Sequence, residues 1–335
     1  MKLLNDCLDR LLDEGMVSNI AVRAGRFDTV LADAYRFSDK RIDENTRFDM
    51  ASVTKVMATT PLALMALEQG ALTLDTPVSA FFRDPRGLTI RHLLTHTIGI
   101  GHKPLNQIGN TYDSVADYIL SIPADIPAGT DVLYSCPGFI LLGKILEQIY
   151  GQRLDELFME RIAAPLKLTR SRFLPGNDGN TVNSNISAAE TGIVNDYNCR
   201  FLGGVAGNAG LFSCIADAEK YVRALLHGGS PILKRETLDR TFLNYTPAMS
   251  ESRALGFVYV DEKYAQTGRL FPAGSVGHCG HTGQSIFFNP KSGLYVLILS
   301  DATRAAVVKY GGERYDQVMA MRAQIHNALA DSGLF

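Results

Sequence analysis

The sequence predicts an α+β fold: an antiparallel β-sheet flanked by helices from the two ends of the chain, with a mostly helical region inserted between its strands. Three observations point there. Strand-type runs cluster near the N-terminus, at 17–35, and again beyond 250. Helical periodicity and long polar loops fill about 71–226. The chain has 335 residues, enough for about two domains or one large one.

The elements follow in order. Leu3, Leu4, Cys7, Leu8, Leu11 and Leu12 lie on one face of a first helix, which Gly15 ends. Asn5, Asp6, Asp9 and Arg10 interrupt the apolar residues along the sequence, so the segment is not the unbroken run of about 7–15 residues of a secretory signal. Runs at 17–22 and 29–35 predict a hairpin with 24–26 between them. A polar stretch spans 38–46, and a long helix follows over 52–69, stopped by Gly70. Further helices are expected at 114–122, at 138–150 before Gly151, at 154–163 before Pro165, and at 216–226 before Gly228-Gly229. Strands return at 255–260, 284–289 and 294–300, the last two joined by the turn Pro290-Lys291-Ser292-Gly293. A final helix covers 313–331. The expected division is a sheet domain of 1–70 with 230–335, and a helical domain of 71–229.

Composition narrows the function. The chain is 46% hydrophobic and 20% charged, with formal net charge −2, and its mean hydropathy is +0.01. These values suit an ordinary globule and give no bulk attraction to nucleic acid or to an anionic membrane. No window reaches the roughly 18 apolar residues of a membrane span. Five cysteines include no CxxC pair, which leaves zinc ribbons and thioredoxin-like motifs without support. The expectation is a cytoplasmic protein with reduced thiols, unless a leader has been trimmed away.

Three segments could carry chemistry. In FDMASVTK, Ser52 falls where a strand-like run gives way to the long helix, and Lys55 follows at i+3 on the same helix face. A serine hydroxyl becomes a nucleophile when a nearby base takes its proton, and a desolvated lysine can be that base. Alone, Ser52 reads first as a helix N-cap. In DVLYSCPG, Tyr134-Ser135-Cys136 precedes an apolar helix; a phenol beside an ammonium can shuttle a proton, although half-buried tyrosines before helices are common. In Gly277-His278-Cys279-Gly280-His281-Thr282-Gly283, glycines would let a substrate lie along a strand edge. The same run also reads as a glycine-rich bulge.

Together the three resemble the serine β-lactamase and penicillin-binding protein superfamily, in which Ser-x-x-Lys, Tyr-x-Asn or Ser-x-Asn, and Lys/His-Thr-Gly occur in this order. The resemblance extends over nearly the whole chain, through TIRHLLTHTIGI at 89–100, AAPLKLTRSRF and GGVAGNAGLFS at 203–213, and is closest to the class C-type esterase and D-aminopeptidase branch. It implies an acyl-enzyme hydrolase of amide, lactam or ester carbonyls. Ser52 would be the nucleophile, and Lys55 with Tyr134 the base. The substrate would be a small molecule or short peptide, with no metal or cofactor needed. The alternative is a non-catalytic member binding a peptide or muropeptide in the same cleft.

Two cysteines depart from the pattern. Cys136 stands where relatives carry Asn, whose amide can both donate and accept. The third motif has two registers. His281-Thr282-Gly283 is the literal match. Relatives of this subtype commonly read Gly-His-Thr-Gly-x-Thr-Gly before the next strand, and counted back from Pro290 the resemblance implies His278-Cys279-Gly280, with His281 next; its backbone N–H would then join that of Ser52 as an oxyanion hole. In the literal register Gln284 takes that place. If Cys136 and Cys279 both flank the cleft, their oxidation would block it. His92 and His96 have metal-like i, i+4 spacing but no third ligand, and read as structural. Gly204, Gly207 and Gly210 read as a loop bordering the site, and Arg304 as a surface arginine that could also meet a substrate carboxylate.

Overall fold

The computed structural model describes residues 1–105 and 114–335. Its strands are β1 (Asn19–Arg26), β2 (Thr29–Phe37), β3 (Phe48–Asp49), β4 (Arg172–Phe173), β5 (Leu211–Ser213), β6 (Val258–Tyr259), β7 (Val276–Cys279), β8 (Ser285–Phe288) and β9 (Leu294–Ser300). Six form one antiparallel sheet in the order β2-β1-β9-β8-β7-β6; β3-β5-β4 form a small second sheet. The helices are α1 (Lys2–Asp13), α2 (Thr60–Glu68), α3 (Ile90–Leu94), α4 (Val115–Ser121), α5 (Cys136–Tyr150), α6 (Leu154–Phe158), α7 (Ala164–Leu166), α8 (Tyr197–Phe201), α9 (Ile215–Leu226), α10 (Arg235–Thr241), α11 (Ala302–Tyr310) and α12 (Tyr315–Asp331). The expected α+β architecture is therefore present. Among the described residues no helix is long and apolar enough to cross a membrane.

The two ends of the chain meet where β1 pairs with β9, Val22 opposite Ile298. Alternation along β9 then divides two cores. Val296 and Ile298 face α1 and α12, joining Leu4, Leu8, Leu11, Met321, Ile325 and Leu329. Leu297 and Leu299 face the helical layer. The predicted apolar face of α1 holds for Leu4, Cys7, Leu8 and Leu11, which are buried, and in part for Leu12, whereas Leu3 at its edge is exposed.

Three expectations need correction. The hairpin turns at Phe27 and Asp28, so 24–26 stay in the ladder as the end of β1. The expected helix at 52–69 is a 3-10 turn (Ala51–Val53), a π-helical turn (Lys55–Thr59) and α2 in succession. The helix expected to stop before Pro165 instead runs through a π turn (Met159–Ala163) into α7. The cause is the same in both: the residue before the proline donates to the carbonyl five residues back, Thr60 to Lys55 and Ala164 to Met159. That wide turn moves the carbonyl that would clash with the proline ring. Pro61 cannot donate, and the Val56 carbonyl accepts from the Tyr221 hydroxyl instead. α9 packs on β1 and β9, and from it Glu219 binds Arg23 at 2.8 Å and the Tyr295 hydroxyl at 2.6 Å.

Candidate active site

Ser52 sits in the 3-10 turn that leaves β3. Ala51 before it is held at φ 45°, a left-handed conformation rare for alanine. The Asp49 carboxylate, fully buried, fixes that turn by accepting from the Ala51 backbone N–H at 2.9 Å, and it ties in the Asn195 N–H at 2.7 Å. Burial pushes the Asp49 carboxyl up to about 6 against the opposing pull of these backbone donors.

Lys55 follows on the π-helical turn and is completely buried. Its Nζ donates to Ser52 Oγ at 2.9 Å, to the Asn208 carbonyl at 2.9 Å and toward Cys136 Sγ at 3.6 Å. The Asn208 carbonyl arrives on the glycine-rich loop. A Cβ on Gly207 would lie 2.0 Å from the Phe139 carbonyl oxygen, so only glycine lets the loop backbone press onto α5. Thr59 Oγ1 donates to the Gly207 carbonyl at 2.7 Å and fastens the loop to the helix carrying Lys55.

Tyr134 lies just before α5, whose N-cap is Ser135. Lys55 Nζ is 5.1 Å from its ring centroid, and Lys55 and Ser52 both act on the Tyr134 hydroxyl, favouring its ionised form. Cys136 opens α5 between Lys55 and His102. Burial disfavours the Lys55 ammonium, but Cys136 and Tyr134 outweigh it and hold Lys55 protonated above its ordinary range. Burial would raise the Cys136 thiol; Lys55 and His102 outweigh it and bring it down. Tyr134 is pushed up to about 12, burial exceeding the favourable effect of Lys55. Ser52, Lys55 and Tyr134 thus come together as expected.

The glycine motif resolves into two parts. His278, buried in β7, faces the site with its ring 6.0 Å from that of Tyr134. Its Nδ1 donates to the Cys279 carbonyl at 2.7 Å, leaving Nε2 as a bare acceptor. Cys279, one residue on, points to the opposite face and meets the Tyr264 hydroxyl at 3.4 Å. Its sulfur therefore does not flank the cleft with Cys136, and all five cysteines are free. Oxidative pairing of these two is set aside for that reason. A Cβ on Gly280 would lie 2.7 Å from the Met50 carbonyl, so glycine lets the end of β7 close on the segment carrying Ser52. His281 turns outward, 3.3 Å from Glu313 and stacked on Tyr315. Thr282 is structural, its hydroxyl donating to the Asp49 carbonyl at 2.9 Å, and Gln284 Nε2 donates to the same oxygen at 2.6 Å. The register beginning at His278 is the one that meets Tyr134.

Several site residues escaped sequence reasoning. His96 was read as structural, yet it clamps Tyr134. Its carbonyl accepts from the Leu133 N–H at 2.9 Å, its Nδ1 accepts from the Ser135 N–H at 3.0 Å, and its ring lies 4.6 Å from the Tyr134 ring. Its φ of 57° marked it only after folding. His92 is the structural one, capping α3 through Thr89. Arg253, His102 and Arg322 carry no motif. Arg322, on α12 and fully buried, donates to the Gly280 carbonyl and holds the motif turn from behind. Arg304 is held by Asp39 at 2.8 Å and by the Asn185 carbonyl at 3.1 Å, which answers it structurally.

Comparison with known proteins agrees with this geometry. The beta-lactamase family model matches residues 4–318. An N-acetylmuramyl-L-alanine amidase of Bacillus subtilis (strain 168) is 26% identical over 314 residues, spanning 80% of this chain and 70% of its own. A protein of Salmonella typhimurium (strain LT2) designated a D-alanyl-D-alanine carboxypeptidase is 26% identical over 311 residues, spanning 80% and 72%. Among solved structures, EstCE1, described as a hydrolase with promiscuous acyltransferase activity, superposes with TM-score 0.74 at 20% identity over 97% of this chain and 98% of its own. Simvastatin synthase from Aspergillus terreus does so with TM-score 0.75 at 19% identity, over 99% and 98%. These two share the fold. The chain belongs to the beta-lactamase family and is a serine hydrolase of its acyl-enzyme class.

Proposed function

We propose that Ser52 attacks the carbonyl carbon of a small acyl ester or amide and carries the acyl group until water removes it. The observation that carries this reading is the 2.9 Å contact between Lys55 Nζ and Ser52 Oγ, with the Tyr134 ring 5.1 Å from the same Nζ. At rest Lys55 and Tyr134 both hold their protons, and the reactive form is the one in which the pair lacks one proton, a vacancy that can receive the Ser52 proton. Ser52 Oγ loses its proton into that vacancy as the carbonyl is attacked, and the pair returns it to the leaving group as the C–O or C–N bond breaks. A water then attacks the acyl carbon, giving its proton to the same pair, and Ser52 leaves as the alcohol. The backbone N–H groups of Ser52 and His281 are the donors we assign to the developing oxyanion. Support comes from the turn after β7, which is fastened to the Ser52 segment by Thr282 and Gln284 on the Asp49 carbonyl.

Cys136 bears on the substrate. A thiol next to an ammonium is a poor substitute for an amide that donates and accepts, and Lys55 already engages this sulfur. Ester carbonyls, which ask least of that position, are favoured over β-lactams. The cytoplasm is our reading of the compartment, supported by the five free thiols. Steady-state hydrolysis of a short aryl ester and of a β-lactam tests the reading. The expected result is a kcat/KM higher for the ester by at least about tenfold, abolished by Ser52→Ala. Ester hydrolysis surviving in Ser52→Ala overturns it.

A further inference from the structure

Arg253 is an unexplained charge beside the site. Its side chain is 6% exposed. Nη2 donates to Glu251, which is half exposed, while Nε and Nη1 are buried with no hydrogen-bond partner. Leaving guanidinium N–H groups unpaired in the interior is unfavourable. What the guanidinium meets instead is the ring of Tyr134, 5.8 Å from Cζ to the centroid. Lys55 meets the same ring at 5.1 Å. The other groups around Tyr134 are His96 from the loop after α3, His278 from β7 and Cys136 from α5; Asp196 and His102 act one step further out, on Lys55 and Cys136. Burial, reinforced by these two cations, keeps both imidazoles uncharged. Lys55 and Arg253 are then the positive charges that face the ring.

We propose that Arg253 is a positioning residue for the acyl-transfer reaction: packed against the ring of Tyr134, it supplies the second positive charge that favours the phenolate when Tyr134 takes the Ser52 proton. This rests on the function proposed above. A cation over an aromatic face attracts the ring, and a full positive charge at this range attracts the anion more strongly. The geometry also explains why the guanidinium is left short of acceptors. A second carboxylate at Nε or Nη1 would cancel the charge that Tyr134 needs. Glu251 sits at the solvent edge, where screening weakens its opposing effect.

The test is the pH dependence of kcat/KM for ester hydrolysis in wild type, Arg253→Gln, Arg253→Lys and Glu251→Gln. Activity requires the proton vacancy in the Lys55–Tyr134 pair, so the acid limb marks where that proton leaves. Arg253→Gln should move the limb to higher pH by about one unit, a tenfold loss below it. Arg253→Lys should restore most of the shift, and Glu251→Gln should move the limb to lower pH. A uniform loss at every pH in Arg253→Gln, no rescue by lysine, or a Glu251→Gln shift in the same direction as Arg253→Gln overturns the assignment. Should Arg253→Gln not fold, the opposite shift in Glu251→Gln decides. If ester hydrolysis proves independent of Ser52, the function proposed above has failed. Ultraviolet titration of the tyrosinate, with Tyr134→Phe as the blank, then tests Arg253 by itself. Titration at higher pH in Arg253→Gln than in Arg253→Lys supports the assignment, and equal titration overturns it.

Discussion

Replacing Lys55 by methionine keeps the length of the side chain and removes its charge. Lys55 Nζ lies 5.1 Å from the centre of the Tyr134 ring. At an effective dielectric of about 20, a unit charge at that range favours the phenolate by roughly 3 kcal/mol, or about a hundredfold in phenolate population at a fixed pH. Losing the lysine as a proton carrier removes a further factor of about 10²–10⁴. We therefore expect kcat/KM for a short aryl ester at neutral pH to fall by about 10⁴ or more. Stability should respond much less. The Asn208 carbonyl loses its donor, at a cost of about 1–3 kcal/mol. Against that, the fully buried ammonium no longer has to be desolvated. Stopped-flow hydrolysis with thermal denaturation on the same samples separates the two effects. A Lys55→Met enzyme within tenfold of wild type, folded and with Ser52 intact, would refute the reasoning.

Three further outcomes follow from the same structure. Cys136→Asn should raise β-lactam and peptide-amide turnover relative to ester turnover by about tenfold or more, because an amide can both donate and accept; competition between the two substrates measures the ratio. Arg322→Met removes the charged donor to the Gly280 carbonyl and leaves it only the Gly283 N–H, so the protein should lose about 1–3 kcal/mol by urea unfolding. Its kcat should fall more than its KM rises, since the loosened turn carries the proposed oxyanion donor. Asp178 is held down to about 2, its pairing with Arg47 and hydrogen bonds from Asn180 and Thr181 outweighing burial. A carboxyl lowered on folding adds stability above its unfolded range, near pH 4, and loses it as pH falls through about 2. The difference in Tm between wild type and Asp178→Asn should therefore be constant above about pH 4 and vanish toward pH 2.

How much the sequence revealed depended on whether a signal was local. The nearly continuous apolar run from Leu294 to Ser300 predicts β9 to the residue, because both of its faces are buried. The apolar face of α1 was equally plain. Ser52, Lys55 and Tyr134 were legible because type and spacing sit within short motifs. The hairpin turn was misplaced because Ala24-Gly25-Arg26 looks like a turn, while Phe27 adopts φ 45° that no propensity favours. Pro165 looked like a helix stop and Pro61 sat inside an expected unbroken helix, since a π turn that makes room for the ring leaves no mark on composition. His96 and Arg253 were missed for another reason. They reach Tyr134 from 38 residues before it and 119 after it in the chain, and only the packed tertiary structure joins them. Cys279 shows the converse: it occupies a motif position, yet the period of two along β7 turns its sulfur to the other face of the sheet.

The central claim is that Ser52 carries the acyl group. Rapid acid quench after mixing with a short acyl ester, followed by peptide mass mapping, tests it most directly. The account predicts one acyl mass on the peptide containing Ser52, forming before steady state and absent from Ser52→Ala. An acyl mass confined to another nucleophile such as Cys136, or none at all while hydrolysis proceeds, would contradict it.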